Sequence, residues 1–116
     1  MDINKELLGL SNIVNCPVVQ DLFEGQEERW IVFTHADERD VSFGDDEAEV
    51  TEFSLNISYY TQPYYQYLED KKKIKKYLKE KGFLVEYIRS WIEDSGIGKE
   101  KIRHTVFVIS KMDKDE

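Results

Sequence analysis

The sequence predicts a small single-domain α+β protein in the order α-β-β-β-α-β-β, with a mainly antiparallel or mixed sheet packed against two helices. Three observations carry this expectation. Two stretches, one at the N-terminus and one in the middle of the chain, carry apolar residues at the 3.6-residue spacing of amphipathic helices. Five others are rich in β-branched and aromatic residues, several alternating apolar with polar. At 116 residues the chain has the size of one domain, and each helix must bury its apolar stripe against a face of the sheet.

Ile3, Leu7, Leu8, Leu10, Ile13 and Val14 place a first helix over residues 3–14, with Asp2 or Asn4 as its N-cap. Pro17 stops it. Residues 18–23 read as a short strand closing on the turn cluster Glu24-Gly25-Gln26. In residues 29–35 the run Trp30-Ile31-Val32-Phe33 is almost continuously apolar, the pattern of a central strand buried on both faces.

Residues 37–52 contain eight acids against Arg39 alone, a local charge of -7, and read as an exposed loop. Phe53, Leu55, Ile57 and Tyr59 then alternate with Ser54, Asn56, Ser58 and Tyr60, which gives a strand with one face in the core. After Gln62-Pro63 a second helix spans residues 64–81. Tyr64, Tyr67, Leu68, Ile74 and Leu78 form its stripe, and Gly82 is the residue just past its end. Residues 83–93 and 102–111 form a hairpin turned by Ser95-Gly96-Ile97-Gly98, and the charged residues 112–116 are expected to fray.

The formal charge of -8 argues against a dedicated nucleic-acid binder, which needs a basic footprint to displace counterions from phosphates. Cys16 is the single cysteine, so neither an intramolecular disulfide nor a cysteine zinc cage can form, and a reducing compartment fits best. No signal-like or membrane-length apolar run is present. A soluble protein that stays where it is made is expected.

No catalytic, metal-binding or cofactor-binding residue is nominated. Gly96-Ile97-Gly98-Lys99 fails as a phosphate loop, because that pattern needs Gly where Glu93 stands and Ser or Thr where Glu100 stands. Asp45-Asp46-Glu47 with Glu49 lacks the spacing of an EF-hand loop and reads as solvated, a bound hard cation being the other reading. His35 and His104 lie in separate strands without partners at metal-ligand spacing. No Gly-x-Ser-x-Gly elbow or comparable nucleophile signature occurs, and Cys16 beside Pro17 reads as inert.

What remains are surface features. Seven lysines between positions 71 and 81 stand against Glu69, Asp70 and Glu80, so the second helix carries +4 and the remainder of the chain -12. This is a solvated helix face, a contact for nucleic acid or an acidic partner, or a surface that meets the acidic segment 37–52 of another copy. Five tyrosines between Tyr59 and Tyr67 cannot all face one core. The exposed ones suit a protein interface, with stacking on single-stranded bases as the competing use.

Several stretches then carry a resemblance across nearly the whole chain. They are Pro17-Val18-Val19-Gln20-Asp21-Leu22-Phe23-Glu24-Gly25, Glu28-Arg29-Trp30-Ile31-Val32-Phe33 running into Ala36-Asp37-Glu38-Arg39, the amphipathic strand 53–60, and the lysine-rich helix ending Lys81-Gly82-Phe83. With the order of elements, they resemble the small tail-completion proteins of tailed bacteriophages and prophages, also called tail terminators or tail-to-head joining proteins. The resemblance implies a structural virion protein without enzymatic activity. Copies would form a ring, hexameric in the assembled tail, that caps the tail tube, ends its polymerisation and meets the head-tail connector protein. It implies synthesis in the bacterial cytoplasm, residence in the virion tail, and no cofactor or membrane. A small nucleic-acid-binding or adaptor module using the lysine helix and the tyrosines is the alternative. The candidate contacts are Arg39, Asp40, Phe43, Asp45, Asp46, Tyr60, Tyr64, Tyr65, Lys72 and Lys76.

Overall fold

Asp2 caps the first helix, its carboxylate accepting from the Lys5 amide at 3.1 Å. The computed structural model describes residues 2–25, 27–42, 49–95 and 100–114. The N-terminal helix is interrupted at Gly9, giving α1 (Ile3–Leu8) and α2 (Leu10–Val14) in place of one helix. Glycine is required at this position. Tyr77 donates its hydroxyl to the Glu6 carbonyl at 2.7 Å, and any Cβ at position 9 would collide with that hydroxyl. Asn15 ends α2 in the left-handed conformation at φ 51°.

The remaining elements are β1 (Val18–Gln20), β2 (Trp30–Ser42), β3 (Glu49–Thr61), α3 (Tyr67–Glu80), β4 (Leu84–Asp94) and β5 (Lys101–Lys114). They form a single-domain α+β fold around one five-stranded mixed sheet of order β1-β2-β3-β5-β4. β1 runs parallel to β2 and the other pairs are antiparallel. A parallel pair normally needs a long crossover. Here β1 has three residues, so the segment 21–29, able to span roughly 30 Å, brings the chain back to its start. Asp21 at φ 65° cuts β1 short of the expected 18–23.

Alternation decides which face is covered. Ile31 and Phe33 on β2, Leu55, Ile57 and Tyr59 on β3, and Phe107 and Ile109 on β5 are fully buried on one face. Against them pack Leu7 and Leu10 from the N-terminal helices and Ile74 and Leu78 from α3, also fully buried. The run Trp30-Ile31-Val32-Phe33 is therefore not buried on both faces, since Trp30 and Val32 are only half-buried on the opposite one. The central strand is β3, with β2 beside it.

The expected acidic loop is also different. β2 and β3 run past the core, with Arg39 opposite Glu52 and Val41 opposite Val50, after a bulge between His35 and Asp37. β5 joins this extension, Met112 and Asp113 pairing with Glu52 and Thr51. Residues 112–114 are thus strand, where fraying was expected, because β3 supplies their hydrogen bonds. The result is an arm that helps stretch the molecule to 57 × 24 × 22 Å. α3 begins at Tyr67, later than expected, and leaves Tyr64 and Leu68 off the buried stripe. Gly82 follows it at φ +89°, as the C-terminal glycine signal requires. The β4–β5 hairpin is present, while its turn residues 96–99 lie outside the described residues.

Candidate interaction surfaces

All helices pack on the Leu55-Ile57-Tyr59 face of the sheet, so its other face is built from the alternate residues and no described helix lies over it. Strand register places Trp30 opposite Tyr60, Tyr60 opposite His104, and His104 opposite Trp91. Their rings form a row across four strands, stacked from Trp30 through Tyr60 to His104 and tilted between His104 and Trp91. Trp30 and Tyr60 are 5.0 Å apart, Tyr60 and His104 4.3 Å, and His104 and Trp91 4.6 Å, with Phe23 extending the row at 5.1 Å from Trp30. Cross-strand aromatic pairs of this kind stiffen a sheet by roughly 0.2–1 kcal/mol each. Glu93 holds His104 through a 2.6 Å contact to Nδ1.

The row ends on β4, an edge strand whose outer side has no partner among the described residues. Leu84 and Tyr87 on it are 63% and 52% exposed. Trp91 and Ile92 are exposed beside them, so this eleven-residue edge offers apolar side chains as well as backbone groups to another chain.

The expected basic surface lies on α3. Lys72, Lys75, Lys76, Lys79 and Glu80 line a shallow groove of about 440 Å³ on its solvent side. Lys72 and Lys76 are both exposed, and Lys76 Nζ lies 4.0 Å from Glu80.

The tyrosines divide between the two faces. Tyr59 is fully buried and donates to Asp70 Oδ2 at 2.5 Å. Arg29 Nη1 donates to the same oxygen at 3.3 Å, to the Tyr59 hydroxyl at 3.1 Å and to the Val14 carbonyl at 2.9 Å. Burial, followed by the bond to Asp70, pushes the Tyr59 phenol well above its ordinary range. Tyr65 lies beneath the Arg29 guanidinium, 4.9 Å from ring centroid to Cζ, while Tyr64 is 80% exposed. Tyr60 belongs to the aromatic row. Arg39 is exposed and pairs with Glu52 at 2.9 Å, and Asp40 accepts from the Thr51 hydroxyl at 3.1 Å. Phe43, Asp45 and Asp46 lie outside the described residues.

The candidate contacts are therefore spread over the arm, the aromatic row, the turn before α3 and α3 itself. Three participants were missed from sequence: Trp91, His104 and the buried Lys111. Lys111 Nζ donates to Glu6 Oε2 at 2.9 Å and to the Lys81 carbonyl at 2.5 Å, joining α1 to the end of α3. A lysine two residues past the apolar run Val106-Phe107-Val108-Ile109, on the face of Phe107 and Ile109, was the available signal.

Cys16 is buried, and burial raises its thiol to about 11 even though Arg29 pulls it down. Among the described residues no group of three or more His, Cys, Asp and Glu side chains is placed to hold a metal ion, and no helix is long and apolar enough to cross a membrane.

The fold and these surfaces define a small α+β domain with one helix-covered and one helix-free sheet face. No protein-family model matches the chain, and no curated protein matches it in sequence.

Proposed function

We propose that this chain is a structural assembly subunit that works through contacts with other protein chains, as a tail-completion protein of a phage or prophage. Copies form a ring, hexameric in the assembled tail, on the end of a tail tube, stop its growth and present a surface to the head-tail connector. The virion tail is its place of action, and it performs no catalysis.

The observation that carries this reading is the helix-free sheet face with its aromatic row running to the open edge at β4. A domain that works alone rarely leaves several large apolar side chains exposed on one strand edge, as Leu84, Tyr87, Trp91 and Ile92 are on β4. The order of elements and the stretches that resemble tail-completion proteins give the class of partner. The test is polymerisation of tail tube protein followed by light scattering. Growth should halt at amounts of the chain far below those of the tube protein, and growth to undiminished length would count against the reading.

A second reading, a nucleic-acid-binding module, is favoured by one observation: Lys72 and Lys76 are exposed on α3, and Tyr64 stands exposed ahead of it. It predicts binding to single-stranded DNA or RNA that weakens steeply with salt and is lost in Lys72→Glu with Lys76→Glu. Absence of any mobility shift at low salt disposes of it.

A further inference from the structure

The sheet is longer than the helical layer that covers it. On the covered face, Lys111 reaches the last carbonyl of the α3 cap, that of Lys81, and Lys111 stands opposite Phe53 in the β3–β5 register. Beyond that point the same face continues along the arm. Glu38 lies opposite Phe53, Asp40 opposite Thr51, and Asp113 on the other side of Thr51. The first turn of α1 reaches only the near edge of this stretch, where Asp2, Ile3 and Asn4 share a cleft with Phe53 and Asp113, and no described helix lies over Glu38 or Asp40. The uncovered end of the face is acidic.

The outer surface of α3 is its electrostatic counterpart. Lys72, Lys75, Lys76 and Lys79 are all exposed, and among the described residues only Lys76 has an acidic group within 4.0 Å, Glu80. Glu38 and Asp113 form no ion pair among the described residues. A copy cannot satisfy these charges internally. Its arm continues the sheet past the C-terminal end of α3, whereas the lysines sit on the side of α3 turned away from the sheet.

From this we infer that the acidic, helix-free end of the sheet in one copy receives the lysine face of α3 from a second copy. The contact joins two different patches, so it repeats head to tail and generates a ring when the rotation closes. It rests on the proposed ring and names the self-contact within it. The net charge of -8 on each copy does not forbid it. At ~0.1 M salt charges beyond about 10 Å are screened, while pairs in contact still attract.

The experiment measures the mass of the full chain by analytical ultracentrifugation at ~0.1 M and ~1 M salt, with circular dichroism and melting curves confirming that each variant is folded. Wild type should oligomerise at the lower salt and dissociate at the higher. Lys72→Glu with Lys76→Glu, and separately Glu38→Lys with Asp113→Lys, should each weaken self-association by about tenfold or more. An equimolar mixture of the two variants should associate again, because each supplies the charge that the other has reversed. Wild-type monomer at every concentration, single variants that assemble as wild type does, or a mixture that stays monomeric would each overturn the inference. A lysine face that shifts DNA while the chain stays monomeric overturns it in favour of nucleic acid. If folded, assembling variants still halt tube growth, the ring reading stands and this contact falls. If the mixture associates but tubes grow unchecked, the contact stands and the tail reading falls.

Discussion

Tyr59 and Arg29 converge on one oxygen of Asp70, at 2.5 and 3.3 Å, and so tie the middle of the sheet to the first turn of α3. Arg29 also caps the exposed carbonyl end of α2, donating to Val14 at 2.9 Å and to Asn15 at 3.3 Å. Asp70 is thus the shared acceptor of a clasp among three elements. Its side chain is 10% exposed and that of Arg29 23%, so removing one partner strands the other in a poorly hydrated place. Asp70→Ala is expected to cost about 2–4 kcal/mol and Asp70→Asn less, read from the midpoint of urea unfolding.

The same clasp sets an alkaline limit. Tyr59, Tyr60, Tyr65 and Tyr77 all have phenols raised above their ordinary value, in each case chiefly by burial. The unfolded chain releases these protons near pH ~10, whereas the native state holds them to higher pH. Stability is therefore fully present below about pH 10 and declines above it. Melting temperatures measured across that range should fall steeply in wild type and less steeply in Tyr59→Phe. An equally steep fall in the variant would contradict the assignment of the largest raised group to Tyr59.

Gly9→Ala is expected to destabilise by about 1–2 kcal/mol, although alanine is the better helix former. The cause is the Tyr77 hydroxyl, which occupies the space of the new methyl and would have to surrender its bond to the Glu6 carbonyl. In a Tyr77→Phe background the penalty should shrink. A double-mutant cycle by thermal or urea unfolding measures that coupling, and additive effects would argue for another cause of the penalty.

Cys16 should resist alkylation. With its thiol raised to about 11 and its side chain buried, roughly one molecule in a thousand carries a thiolate at pH ~8. Iodoacetamide labelling is expected to follow unfolding, rising together with loss of the circular dichroism signal in urea. Rapid labelling of the native chain would place Cys16 at the surface.

The class of fold was legible because local patterns carried it. Leu55, Ile57 and Tyr59 alternate cleanly, Asp2 and Gly82 mark helix ends, and Ile74 and Leu78 mark the buried stripe of α3. Pairing between distant strands was less accessible. The acids at 37–40 look like loop residues because their composition is unfavourable for a strand, yet β3 supplies their backbone partners and β5 in turn pairs with β3 along the arm. Residues 112–114 were misjudged for the same reason. The need for glycine at position 9 comes from Tyr77, 68 positions away, which no local pattern contains. The aromatic row is also a product of register: Trp30, Tyr60, His104 and Trp91 become neighbours only once the order β2-β3-β5-β4 is known. Lys72 and Lys76, by contrast, are exposed as expected, whereas Tyr64, placed by its spacing on the stripe of the second helix, stands exposed ahead of α3.

A chain that acts, as proposed, as one member of a ring at the end of a tail tube must be visible there. Electron microscopy of tubes assembled with the full-length chain tests this most directly. One closed ring of the chain is expected on one end of each tube, with tube growth ended there. Bare tube ends, with the chain dispersed as monomers in the background, would contradict it.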